Sequence, residues 1–132
     1  MRALLDRPIA AVVAERLRGM GTDALSAADD PALAALGDAE LFAHAGLVGR
    51  VLVSQNVGDH LPLAEREARR GAGAHPGLIV VSPVRYPRSP LVIDRLVRDL
   101  DAVLSGHDPR ELSRRAVHWL EAPPGCPFWP SG

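Results

Sequence analysis

Three acids in this chain stand where an α/β fold would gather them. Asp6 ends the short apolar run Arg2-Ala3-Leu4-Leu5, Asp38 follows Gly37 at the start of a helical pattern, and Asp59 lies five residues past Ser54 in the loop after Arg50-Val51-Leu52-Val53-Ser54. In an open sheet of parallel strands, ligands bind just beyond the carboxyl ends of the strands. Acids converging there repel one another by roughly 4 kcal/mol at 4 Å and an effective dielectric near 20. One of them must then be protonated, or a cation must sit between them. Oxygen-only ligands favour Mg²⁺ or Mn²⁺, ions that keep several waters and bind substrate phosphate. Such a site suits hydrolysis of a phosphodiester, with metal-bound water as nucleophile. Each acid also has a plain structural reading as a helix cap or first-turn residue, Glu40 included.

The elements that would position these residues follow from the periodicity. Arg2 to Asp6 reads as a first strand, and a helix follows with Pro8 in its first turn, Ile9, Val12, Val13, Leu17 and Met20 at helical spacing, and Gly21 as its stop. Thr22 to Ala28 is a weak second strand because alanine is a poor strand former. Asp29-Asp30-Pro31 is a turn, and Pro31 to Leu36 allows a helical turn. Gly37-Asp38 opens a helix through Leu41, Phe42 and Ala45. Arg50 to Ser54 and Leu78 to Val81 have the unbroken apolar character of strands buried on both faces. Between them lie a helix ending near Arg70 and the connector Gly71 to Pro76. Leu91 to Leu104 forms an amphipathic helix closed by Gly106, on whose solvated face Asp94, Asp99 and Asp101 fall among arginines. Ala116 to Leu120 is either an edge strand or a short helix. Strands alternating with helices give a mostly parallel sheet of four to five strands flanked by helices, one domain over 1–122, and a Pro-rich tail over 123–132.

Composition removes several alternatives. All fifteen basic residues are arginine. The absence of lysine excludes a phosphate-loop lysine, a Schiff base and a serine–lysine pair. A phosphoacceptor receiver needs paired acids after the first strand and a later lysine, whereas this chain has Asp6-Arg7 and none. Pro8 occupies the second acid's position in an Asp-x-Asp phosphatase. With Cys126 alone, neither an internal disulfide nor a cysteine-rich zinc site forms, and no two of the five histidines have zinc spacing. Gly71-Ala72-Gly73 follows a helix and so is not a dinucleotide fingerprint. The net charge of −1 argues against a general nucleic-acid coat while permitting a local patch. No apolar run reaches the roughly 20 residues of a membrane span, and an acid at position 6 interrupts any signal peptide. The expected location is the cytoplasm.

Leu4-Leu5-Asp6 before a proline, Gly37-Asp38-Ala39-Glu40-Leu41, and Arg50-Val51-Leu52-Val53-Ser54-Gln55-Asn56-Val57-Gly58-Asp59 occur here in that order. The combination resembles the compact prokaryotic PIN-like family, long catalogued as a domain of unknown function, with VapC-like toxins among its members. The likeness runs from Met1 to about Val81, with His75-Pro76-Gly77-Leu78-Ile79-Val80-Val81 as the family's next strand. The resemblance implies a three-layer PIN-like domain and a Mg²⁺- or Mn²⁺-dependent endoribonuclease acting on RNA, neutralised by a cognate antitoxin. It carries the metal and catalytic roles to Asp6, Asp38 and Asp59, with Glu40, Asn56 and Ser54 as auxiliaries. Asn56 stands where many relatives have an acid, Ser54 where they have threonine, and His60 where they have an aromatic residue. An asparagine offers a metal a carbonyl but no charge, so a decayed module acting through protein contacts is the competing expectation. Arg66, Arg69 and Arg70 form a basic helix end suited to RNA phosphates, to an acidic antitoxin segment or to solvent. Trp119, Phe128 and Trp129 suit docking on the domain or on a partner subunit, and a homodimer is left open.

Overall fold

The structure is a computed structural model that describes residues 2–55, 77–82, 86–87, 89–106 and 117–120. Five strands form one parallel sheet: β1 (Ala3–Leu5), β2 (Ala24–Ser26), β3 (Val51–Ser54), β4 (Leu78–Val81) and β5 (Val117–Leu120). Their order across the sheet is β2-β1-β3-β4-β5. In the ladder Ala3 is level with Ala24 and Val51, Leu52 with Leu78, and Leu78 with Val117. The ambiguous segment near Leu120 is thus an edge strand. The described helices are α1 (Ala11–Gly19), α2 (Pro31–Ala34), α3 (Asp38–Leu47) and α4 (Ile93–Gly106).

Side-chain alternation explains the apolar runs. Ala3, Leu5, Val51, Val53, Ile79 and Val81 point to one face, where Val13 and Leu17 of α1 and Leu96 and Leu100 of α4 cover them. Leu4, Leu52, Leu78 and Val80 point to the other face, against Leu41, Phe42 and Ala45 of α3. A strand with helices on both sides has no polar face, so successive residues must all be apolar. β2 is an edge strand, and its Leu25 remains partly exposed between the buried Ala24 and Ser26.

Two boundaries differ from the sequence expectation. The first helix begins at Ala11, and Pro8 belongs instead to a turn closed by the Ile9 N–H donating to the Asp6 carbonyl at 3.0 Å. Proline fixes its own φ and lacks an N–H, which suits a turn as well as a helix start. β2 is three residues long, shorter than the apolar stretch around it. The predicted stop holds: Gly21, at φ +90°, follows α1, and Thr22 N–H reaches back to the Leu17 carbonyl at 3.0 Å. The predicted helix before Arg70, the connector after it and the tail over 123–132 lie outside the described residues.

Because the chain passes from β1 out to β2 and then returns beyond β1 to β3, the order of the sheet reverses between β1 and β3. Their carboxyl ends flank the crevice where open parallel sheets bind ligands.

Candidate active site

Asp6 comes directly after β1 and extends the ladder, its N–H donating to the Val53 carbonyl at 2.8 Å. It is 1% exposed. Burial of a carboxylate is costly unless polar partners replace water. Ser54, the last residue of β3, donates its hydroxyl to Asp6 Oδ2 at 2.8 Å, and the Arg7 backbone N–H donates to Oδ1 at 2.8 Å. The switch point therefore carries a carboxylate held from two strands. Asp6 does not cap α1, whose first residues have no side-chain cap.

Asp38 is the first residue of α3, with Gly37 in the capping position. The helix runs back toward the amino end of β3, so its own N-terminus lies on the carboxyl edge beside Asp6. Arg7 joins the two acids. Its Nη2 donates to Asp38 Oδ1 at 2.9 Å, and its Nε lies 3.7 Å from Asp6 Oδ1. The same guanidinium is anchored by the carbonyls of Ala34 and Leu36, at 3.2 and 2.9 Å from Nη1. One positive charge for the converging acids is thus present in the chain, one residue from Asp6. The sequence holds a signal for it: a buried acid at a strand end, followed immediately by a side chain that can fork to two acceptors.

Glu40 is exposed in the first turn of α3, where a negative charge favours the helix dipole. Asn56, Asp59, Arg66, Arg69 and Arg70 lie outside the described residues, as does His60. Among the described residues, no three His, Cys, Asp or Glu side chains gather as metal ligands would. In donor type, Asp6 and Asp38 with the Ser54 hydroxyl nearby fit a hard divalent cation.

Two acids of α4 do more than face solvent. Asp99 accepts the Tyr86 hydroxyl at 2.6 Å, and Asp101 accepts the Thr22 hydroxyl at 2.6 Å. Only Asp94 matches the solvated expectation, exposed and paired with Arg16. Tyr86 is almost fully buried, with Arg95 5.0 Å over its ring, and the Gln55 amide donates to its carbonyl at 2.9 Å. Gln55 thereby ties the end of β3 to the segment after β4.

The architecture is an α/β fold with an all-parallel five-stranded sheet and helices on both faces. Compared with protein-family models, curated proteins and solved structures, the chain gives no match. No described helix is long and apolar enough to cross a membrane.

Proposed function

We propose that the chain is a PIN-like, metal-dependent endoribonuclease that acts as a VapC-type toxin and is restrained by a cognate antitoxin. The observation that carries this reading is the pair Asp6 and Asp38 on one guanidinium at the β1/β3 switch point, with Ser54 fixing Asp6. Asp6 and Asp38 hold the Mg²⁺ or Mn²⁺ ion, with Asp59 as third acid and Glu40 and Asn56 as auxiliaries. When bound, the ion supplies Lewis acidity at a phosphodiester oxygen and lowers the pKa of bound water. Ser54 orients the Asp6 carboxylate, and Arg7 contributes one positive charge beside the two acids. Arg66, Arg69 and Arg70 supply phosphate or antitoxin contacts.

The test is cleavage of single-stranded RNA with and without Mn²⁺. Ser54→Ala removes the hydrogen bond that orients Asp6 and lowers the rate about 10–100-fold, as loss of a partner behind a metal ligand does. Asp6→Asn, of the same size but uncharged, lowers it further. Cleavage at the parent rate by Asp6→Asn would remove Asp6 from the mechanism.

A second reading is favoured by Arg7, which already sets one positive charge against the acid pair. In it the PIN-like domain is a protein-binding module without catalysis. Calorimetry separates the two readings: no heat with millimolar Mn²⁺, together with tight binding to the product of the adjacent gene, selects the module.

A further inference from the structure

Two adjacent residues at the end of β3 serve opposite faces of the sheet. Alternation puts Ser54 with Leu52 toward the α3 layer, where its hydroxyl meets Asp6. Gln55 turns to the α1 and α4 side, where it shares a cavity wall with Ile9 and Leu96. Its part-buried amide donates there to the Tyr86 carbonyl at 2.9 Å. A hydrogen bond positions its donor only as firmly as the acceptor is itself held.

Tyr86 is held from several sides. It lies in the core cluster with Val13, Leu96 and Leu100, and Arg95 sits 5.0 Å over its ring. Its hydroxyl donates to Asp99 Oδ2 at 2.6 Å, and its N–H donates to the Ser82 carbonyl at 2.9 Å. Asp99 belongs to α4, which packs on the sheet through Leu96 and Leu100. Hydrogen bonds thus lead from Asp99 to Tyr86 and from Tyr86 to Gln55, the first residue past β3. One peptide bond back, the Ser54 hydroxyl donates to Asp6 Oδ2 at 2.8 Å. Ladder pairing holds β3 as far as Ser54, level with Val80. Twisting the strand end there carries the Ser54 hydroxyl off Asp6 and the Gln55 amide off Tyr86 together. A working carboxylate must stay within about 0.5 Å of its productive position, so this second tie matters.

We infer that Gln55 is a positioning residue for Asp6, and that α4 sets the orientation of the Asp6 carboxylate through Asp99, Tyr86 and Gln55. That role rests on Asp6 being the working acid of the proposed site, while its test needs neither metal nor RNA.

The Arg7 N–H donates to Asp6 Oδ1 at 2.8 Å, so its proton shift reports where that carboxylate sits. Gln55→Met keeps the length of the side chain and removes the donor. In ¹H–¹⁵N spectra of the full chain, this variant should move the Arg7 amide proton upfield, as should Ser54→Ala. Hydrogen exchange at the Asp6 amide should quicken roughly two- to tenfold, the factor that one net hydrogen bond contributes. The Ala3 amide, which donates to the Asp23 carbonyl at the other end of β1, should exchange at the parent rate. Asp99→Ala should shift the Arg7 proton in the same direction, and should add nothing once Gln55 is replaced by methionine. Tyr86→Phe makes the same comparison if Asp99→Ala fails to fold. An unmoved Arg7 proton in Gln55→Met overturns the inference. So does an Asp99→Ala or Tyr86→Phe effect that is absent, or that adds in full to that of Gln55→Met. Exchange that quickens equally at Ala3 and Asp6 marks a plain loss of stability and overturns it too. A parent that shows the expected shifts yet gives no heat with Mn²⁺ removes the metal reading and leaves the coupling in place.

Discussion

Asp6 and Arg7 define the site by competing demands. A 1%-exposed carboxylate needs polar contacts in place of water, and the Ser54 hydroxyl is one of them. A hydrogen bond to a charged group contributes about 1.5–3 kcal/mol. Ser54→Ala should therefore lower the unfolding free energy by that amount, read as a fall in the urea midpoint without a change in slope. Arg7 presents the opposite case. Arg7→Met removes two carbonyl contacts and the bridge to Asp38, and the protein should lose about 1–3 kcal/mol in metal-free buffer. The acids lose the positive charge of Arg7, so a divalent ion should bind Arg7→Met more tightly than the parent. The measurement is the rise in Tm on adding millimolar Mn²⁺, expected to be larger in the variant; each tenfold gain in affinity adds about 1.4 kcal/mol under saturating ion. An equal or smaller rise would mean that the guanidinium does not stand in the ion's way.

At the scale of elements, the apolar strands were the most legible part of the sequence, because a strand covered on both faces leaves no choice of residue type. Leu52 on β3 shows the energetic weight of that rule: fully buried against the α3 layer, it should cost about 2–5 kcal/mol when cut to alanine. Helix starts were less legible. Pro8 fits either a first helical turn or a tight turn, and the Asp6 carbonyl to Ile9 N–H bond decides for the turn. Contacts between layers were the least legible, since periodicity reports which face a residue is on and not what it meets there. Asp99 and Asp101 read as solvated acids on an amphipathic helix, yet each accepts a hydroxyl from another segment. Tyr86→Phe tests this directly: it keeps the ring and removes the 2.6 Å bond to Asp99, and a loss of about 1.5–3 kcal/mol is expected by thermal or chemical unfolding. A solvated Asp99 would make the change nearly neutral. Within the site, position at a strand end singled out Asp6, and helix-opening position singled out Asp38. Arg7 escaped because its reach to Ala34, Leu36 and Asp38 crosses about thirty residues of chain.

For the molecule as a whole, the placement of β1 has a consequence for how the protein is made. β1 precedes both of its neighbours in the chain yet sits in the interior of the sheet, level with β2 on one side and β3 on the other. Its partner Val51 lies roughly fifty residues downstream of Ala3, an interval of about 2–10 s at bacterial and eukaryotic elongation rates. Through that interval Leu4 and Leu5 have no β3 beside them. Parallel pairing between distant segments is intrinsically slow, because loop closure precedes the contacts that reward it. Nascent chains stalled before Ser54 leaves the ribosome should thus remain open to protease at β1. Protection should appear over β1 once β3 is out, rather than when β1 itself emerges.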